Sequence, residues 1–508
     1  MDKTYQNISN KKILISCISI SSLIFINSWI RLNVFNINNN YPLNGYDLGL
    51  IFVIFFAFLM LVTINYSIIL YLKKKEFLYV LFLSLLLILA INSMRSSINM
   101  DFISLKNTRI QIFFLLIITI ILFTIKKNKN LIINFFVKFG LITFPFFLII
   151  IFKIIINLFL LNPYDSQLTH KLLINNDNYL IKEKTEKNKI IWLIFDQLDS
   201  RYFTNDVLKK HQLDNFYKLI SKSNYYKEYT PVTEETTKEI PSILSEKFFS
   251  DYRYSIKDNK VRLEFKEKNL NDYKLWNVNE TIFNKVKNKD LKIYINGWYH
   301  PYCSLFKEFY SKCFQSLYGY FTTLQFRGFV RTFLYQFISI VPAYETLIKN
   351  FKINELKIFT QDGSEFLESK INFSKSRLNF INILKENDLD FYFFHSSVPH
   401  EPFIYNSNSK KLINDFYREK SSYIDNLKLT DIFLGEVINS LKDNNIYDSS
   451  IIIVQGDTGI GKDYINSTLK DRIGSTPLII KNKYQNKKNI IHDRLYSNDL
   501  YKKISEIY

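Results

Sequence analysis

The 508 residues predict two architectures in one chain: an α-helical membrane domain of about five spans over 1–162, and an α/β domain with a mainly parallel sheet over 189–508, separated by a polar linker over 163–188. Three observations predict this. Five apolar stretches precede residue 162 and none follows it. The strand-like runs beyond the linker are apolar throughout instead of alternating with polar residues. Helical patterns separate those runs, as in α/β domains.

The apolar stretches are Ile13–Ile30, Leu48–Leu72, Phe77–Met94, Ile110–Ile125 and Leu141–Leu161. Each is close to the ~20 residues that cross a bilayer. The first follows Lys11 and Lys12 without a small-residue cleavage site after it, which predicts an anchor, not a removed signal peptide. Lys138 and Lys153 flank or enter the fifth stretch, either snorkelling to an interface or contacting an anionic lipid.

A net charge of +19 suggests nucleic acid until its distribution is read. Residues 1–160 hold 15 Lys/Arg and 4 Asp/Glu, and the rest is spread thinly without a basic stripe. Basic residues gather before the first span (Lys3, Lys11, Lys12), after the second (Lys73–Lys75) and after the fourth (Lys126, Lys127, Lys129). The positive-inside rule then predicts a multi-pass membrane protein with a cytoplasmic N-terminus and the C-terminal domain outside. The expected partner is the lipid bilayer, with no nucleic acid. Outside the cytoplasm Cys303 and Cys313 can pair, or remain two buried thiols.

Strands are predicted at Ile190–Phe195, Leu291–Ile295, Leu389–Phe394, Ile451–Gln455 and Pro477–Ile480. Ile424, Leu427, Leu434, Val437, Ile438 and Leu441 share one helical face, and a helix near Ile381–Asn387 precedes the third strand. Phe329–Val341 is apolar but too short to span, which leaves a buried helix or an interfacial helix facing the membrane.

Chemistry gathers where strands end. Asp196 and Asp457 each terminate an apolar strand, where an α/β sheet opens its functional crevice. Two such carboxylates suit a hard or borderline divalent cation. Asp199 is a second ligand or a helix cap. Thr236 lies in a loop before Ile240-Pro241-Ser242, and its hydroxyl needs a cation or a base to act as nucleophile. His395 and His400 follow the third strand, placed to protonate a leaving oxygen or meet a phosphate.

Assembled, IIWLIFDQLDS, EETTKEIPSIL, FFHSSVPHEPF and IIIVQGDTG resemble the sulfatase-like branch of the alkaline phosphatase superfamily. The spans followed by such a domain are similar in design to lipoteichoic acid synthases and phosphoethanolamine transferases. The resemblance covers about 188–482, with Gly297-Trp298-Tyr299-His300-Pro301-Tyr302-Cys303 its most specific piece. It implies a metal-dependent phospho- or sulfo-ester hydrolase or transferase of the bacterial plasma membrane, acting on lipid-linked or cell-surface glycan substrates. Asp196 and Asp457 would be metal ligands, Thr236 the metal-bound nucleophile with Thr237 its rival, and His400 a substrate contact. His300, Tyr299 and Glu239 would line the pocket, around one divalent cation (Mn, Zn, Mg or Ca).

The chain departs from the pattern at several points. Thr458 follows Asp457 where the superfamily has His, so a strong imidazole donor is replaced by a weak hydroxyl. Glu239 stands in for a small residue and Glu246 for a usual Gly. Glu239 either supplies the missing ligand or repels an anionic substrate. The lack of a Cys near Thr236 favours phosphate over sulfate chemistry. The alternative is a catalytically inactive descendant that keeps the fold as a binding or scaffold protein.

Overall fold

A computed structural model describes residues 9–31, 48–97, 129–160, 171–174, 189–257, 260–317, 324–341, 344–460 and 475–506. The chain divides into two compact units. One groups Met1–Tyr164 with Asp258–Lys260 and Thr322–Phe351; the other holds Asp165–Lys257, Val261–Phe321 and Lys352–Tyr508.

In the first unit the helices are α1 (Asn10–Ile24), α2 (Ile26–Arg31), α3 (Leu48–Leu72), α4 (Glu76–Ser97) and α5 (Lys129–Leu160). Among the described residues three helical segments are long and apolar enough to cross a membrane: Gly49–Leu72, Glu76–Met94 and Lys129–Ile156. They correspond to the second, third and fifth of the five expected stretches. The first stretch is divided at Phe25, which caps α1 at fifteen residues, and Ile110–Ile125 lies outside the described residues. Packing between these helices relies on small and hydroxylated residues, as it does where lipid replaces water. A Cβ added at Gly140 of α5 would lie 2.5 Å from Ser16 Cα of α1, and Ser16 Oγ donates to the Val137 carbonyl at 3.1 Å. Lys138 and Lys153 are exposed on α5.

The second unit is built on nine strands: β1 (Leu173–Ile174), β2 (Ile190–Phe195), β3 (Asn224–Tyr226), β4 (Ile293–Tyr299), β5 (Lys312–Leu317), β6 (Phe391–Ser396), β7 (Ile451–Gly456), β8 (Leu478–Lys481) and β9 (Asn489–Ile491). Their order is β1-β5-β4-β6-β2-β7-β8-β3-β9. The centre is parallel: β5, β4, β6, β2 and β7 run together. The flanks are mixed, since β8 is antiparallel to both β7 and β3, and β1 is antiparallel to β5. The sheet is thus mostly parallel, and of the strands expected from sequence the one at Pro477–Ile480 runs antiparallel to its neighbours. Apart from Leu173–Ile174 in β1, most of the expected linker lies outside the described residues.

Every residue of β2, β4, β6 and β7 is buried, which explains why these runs show no polar alternation. Helices α6 (Thr236–Ser245), α7 (Gln361–Glu386) and α8 (Tyr423–Asp443) belong to this unit. The predicted stripe of α8 is real: Leu427, Leu434, Val437 and Leu441 are fully buried, joining Phe195, Phe380 and Phe394 in one core. Ser422 and Asp425 close a capping box that starts α8. The helix expected near Ile381–Asn387 is the last turns of the 26-residue α7. Residues 324–338 are helical, but they group with the N-terminal helices, so the stretch is not a buried helix of the α/β unit.

Candidate active site

Register explains why the two strand-end aspartates meet. β7 lies beside β2 in parallel, with Gly456 opposite Phe195, so Asp457 and Asp196 leave adjacent strands at the same level. Gly456 permits this: a Cβ there would lie 2.5 Å from the Leu198 carbonyl oxygen, in the turn after Asp196. Both carboxylates are buried.

Thr236 opens α6, and its hydroxyl donates to Asp457 Oδ2 at 2.9 Å. Asp457 Oδ1 accepts from the backbone of Thr458 at 2.6 Å and of Gln197 at 3.4 Å. Thr458 Oγ1 donates to Asp196 Oδ1 at 3.3 Å, so the residue standing where an imidazole was expected touches the carboxylate pair. Thr237, the rival nucleophile, is buried with its hydroxyl bonded to Tyr299 OH at 2.8 Å. Of the two, Thr236 faces the aspartates.

The carboxylate pair is electrostatically divided. Burial drives the Asp196 pKa well above the carboxylate range, and the neighbouring charge of Asp457 raises it further. Asp457 is also pushed up by burial, but His395 and the hydroxyl of Thr236 outweigh this and hold it below its ordinary value. The two shifts run in opposite directions, Asp196 toward its neutral form and Asp457 toward its charged form.

The histidines separate into three roles. His395 is fully buried; its Nδ1 is bonded to Tyr302 OH at 2.8 Å, and its Nε2 lies 3.8 Å from Asp457 Oδ2 without a hydrogen-bond partner. His300 Nε2 lies 3.3 Å from the Thr236 carbonyl oxygen. Burial, reinforced by His395, pushes the His300 pKa down to about 3, so its ring stays neutral and can donate to that carbonyl. His400 bonds through its backbone N–H to the Asp196 carbonyl at 3.1 Å, and its Nδ1 meets the Glu401 carbonyl.

Asp199 caps the turn that follows it: its oxygens accept from the backbone and guanidinium of Arg201 and from the Ile460 N–H at 3.1 Å. Glu239 is fully buried; Oε2 accepts from the Thr233 N–H at 2.8 Å, and Oε1 has no hydrogen-bond partner. Burial raises its pKa to about 8 against the opposing bonds from Ser497 and Thr233. At neutral pH Glu239 is mostly protonated, which weakens its reading as an anion that repels substrate.

Cys303 and Cys313 form a disulfide with Cα atoms 5.7 Å apart. Tyr302, adjacent to it, was not singled out from sequence although it lies in the Gly297–Cys303 segment; only its contact with His395 reveals it.

Do these residues suit a divalent cation? Among the described residues no three His, Cys, Asp or Glu side chains make a metal cluster. The donors that converge are two carboxylates and two hydroxyls, a hard oxygen set. Two carboxylates buried beside each other, with burial and mutual repulsion raising the Asp196 pKa, are the configuration that a cation would relieve. In donor chemistry the set fits a hard cation such as Mg, Mn or Ca better than one needing imidazole.

Residues 344–507 match the sulfatase family model, a span that includes His395, His400 and Asp457 but begins after Asp196 and Thr236. The match covers the C-terminal part of the domain expected over 189–508. None of the curated proteins matches the sequence. Similar solved structures include Ps i-CgsB in complex with k-i-k-neocarrahexaose (14% identity, 63% of this chain and 72% of that one, TM-score 0.41). Others are the phosphonate monoester hydrolase SpPMH from Silicibacter pomeroyi (14%, 63% and 73%, 0.39) and the lipoteichoic acid synthase LtaP from Listeria monocytogenes (14%, 66% and 76%, 0.37).

Proposed function

We propose, with the sulfatase-like domain as premise, that this chain is a membrane-anchored, metal-dependent hydrolase or transferase of phosphate or sulfate esters. Its substrates are lipid-linked or cell-surface glycans, its nucleophile is Thr236, and its α/β domain lies outside the cytoplasm. The carrying observation is the Thr236 hydroxyl, which opens a helix and donates to the buried Asp457 at 2.9 Å.

Asp196, Asp457 and Thr236 would hold the cation, which when bound supplies the positive charge that acidifies a hydroxyl. The helix N-terminus favours the negative charge that develops on the nucleophile and the transferred group. Thr236 Oγ1 forms a bond to phosphorus as the ester P–O bond breaks, and its proton passes to Asp457 along the existing hydrogen bond. His400 protonates the departing oxygen. Water or an acceptor hydroxyl then attacks phosphorus, giving its proton to His400, as the Thr236 Oγ1–P bond breaks and Thr236 Oγ1 takes back its proton from Asp457. His300, held neutral, donates to the Thr236 carbonyl and fixes the backbone from which the nucleophile projects.

The purified full chain, supplied with Mn, Mg or Ca and a generic phosphodiester, should turn over. Thr236→Ala should lower the rate roughly a thousand-fold or more. Equal rates for the two proteins would remove Thr236 from the chemistry. One observation favours the second reading, an inactive binding protein: the Thr458 hydroxyl, standing where a metal-binding imidazole was expected, donates to Asp196. Absence of both turnover and cation binding would select it.

A further inference from the structure

The helix Leu324–Ile338 belongs to the unit of N-terminal helices although its sequence is inserted between strands β5 and β6 of the sheet. Its contacts are with α1–α2 and α3. Phe337 meets Phe25 with ring centroids 6.4 Å apart, Phe333 meets Phe56 at 5.7 Å, and the Ser28 hydroxyl donates to Gln336 Oε1 at 2.6 Å. Its polarity is inverted relative to a helix packed in water. Thr332 and Gln336 are buried, at 1% and 2% exposure, whereas Val330 is 65% exposed with Phe329 and Leu334 beside it. In water this arrangement would hide the polar side chains and bare the apolar ones.

The bared face continues an outward face of α3. Phe52 stacks on Phe56 at 6.4 Å, Phe56 meets Phe333, and Phe333 stacks on Phe329 at 6.5 Å, a file of four rings running from α3 onto the inserted helix. Because α3 is long and apolar enough to span a bilayer, whatever covers Phe52 and Phe56 also reaches Phe329. Fifteen residues rise only about 22 Å, too little to cross the ~30 Å core, so the helix would lie at the boundary. It meets the C-terminal end of α1 and the first turns of α3, the ends opposite Lys11–Lys12 and Lys73–Lys75. By the positive-inside rule this is the non-cytoplasmic face.

We propose that Leu324–Ile338 is an interfacial helix seated in the outer leaflet, with Phe329, Val330 and Leu334 against lipid. Through it the inserted segment binds the membrane surface independently of the linker over 163–188. The proposal rests on the membrane reading of α3, and the test separates the two.

Benzoylphenylalanine is placed singly at Val330, Leu334, Leu59 of α3 and Tyr484 of the α/β unit, all of them exposed, in the full chain held in phospholipid nanodiscs. After irradiation, mass spectrometry should find a lipid adduct at 330, 334 and 59 and none at 484. Adducts at 59 with none at 330 and 334, or with cross-links there to a second protein chain, would overturn the interfacial helix and leave the membrane reading intact. Failure at 59 as well would overturn both.

Discussion

Thr458 is the residue on which the proposed chemistry is most exposed. Its hydroxyl reaches Asp196 at 3.3 Å, so the side chain is in place to contribute to the carboxylate pair but offers a weak donor. An imidazole in the same position should hold a borderline cation more firmly and acidify the nucleophile more. Thr458→His should therefore tighten divalent-cation binding about tenfold or more and raise turnover in parallel, measured by metal titration and rate on one preparation. Unchanged binding would show that position 458 does not face the cation. Glu239 provides a test of a different kind. With its folded pKa raised to about 8 against an ordinary value of 4.5, the folded chain binds more protons than the unfolded chain between those values. Stability then falls as pH rises from about 5 to 8. Glu239→Gln removes this group, so melting temperatures should lie closer together across that range; an unaltered slope would refute the raised pKa. The aspartates, threonine and histidines of the site stand out in the sequence because they end apolar runs or sit in short punctuated loops. Tyr302 does not, since a tyrosine among aromatic residues looks like core until His395 Nδ1 is found 2.8 Å from its hydroxyl. Nor does sequence separate the two roles of Asp199, because the Arg201 that binds it is equally plausible on a surface.

At the scale of elements, the site is a product of strand register. Asp457 reaches Asp196 because β7 can press against the turn after β2, and Gly456 makes that approach possible. Gly456→Ala would force backbone apart at a distance of 2.5 Å from the Leu198 oxygen. It should lower stability by about 1–3 kcal/mol, as overpacking does, and weaken cation binding although no ligand is changed. A variant with wild-type binding and stability would mean the turn relaxes freely. The central strands were legible because burial on both faces makes them uniformly apolar. The direction of β8 was not, because its Leu478–Lys481 run is buried throughout like the parallel central strands and carries no record of pairing. Glu246 shows the converse. Its φ of 57° at the end of α6 is the conformation that favours glycine, so the departure noted from sequence coincides with an unusual backbone.

For the whole molecule, the sequence reading and the structure agree on apolar N-terminal helices followed by an α/β unit with a mostly parallel sheet, of which residues 344–507 match the sulfatase family model. They differ over Phe329–Val341, read from sequence as a buried or an interfacial helix: the segment groups with the N-terminal helices, with Thr332 and Gln336 buried and the Ser28 hydroxyl donating to Gln336. Topology has its own test in the Cys303–Cys313 bond, which needs an oxidising side of the membrane. Thiol reagents on intact cells should modify neither residue before reduction, and replacing both by Ser should cost about 3 kcal/mol for so short a loop. Labelling of both from the cytoplasm would reverse the orientation. The central claim is that Thr236 becomes covalently linked to the transferred group. The most direct measurement is peptide mass spectrometry of the full chain quenched during reaction with a phosphodiester and divalent cation. The account predicts a phosphoryl-type adduct on Thr236 that disappears in Thr236→Ala. An adduct on Thr237, or turnover without any adduct at Thr236, would contradict it.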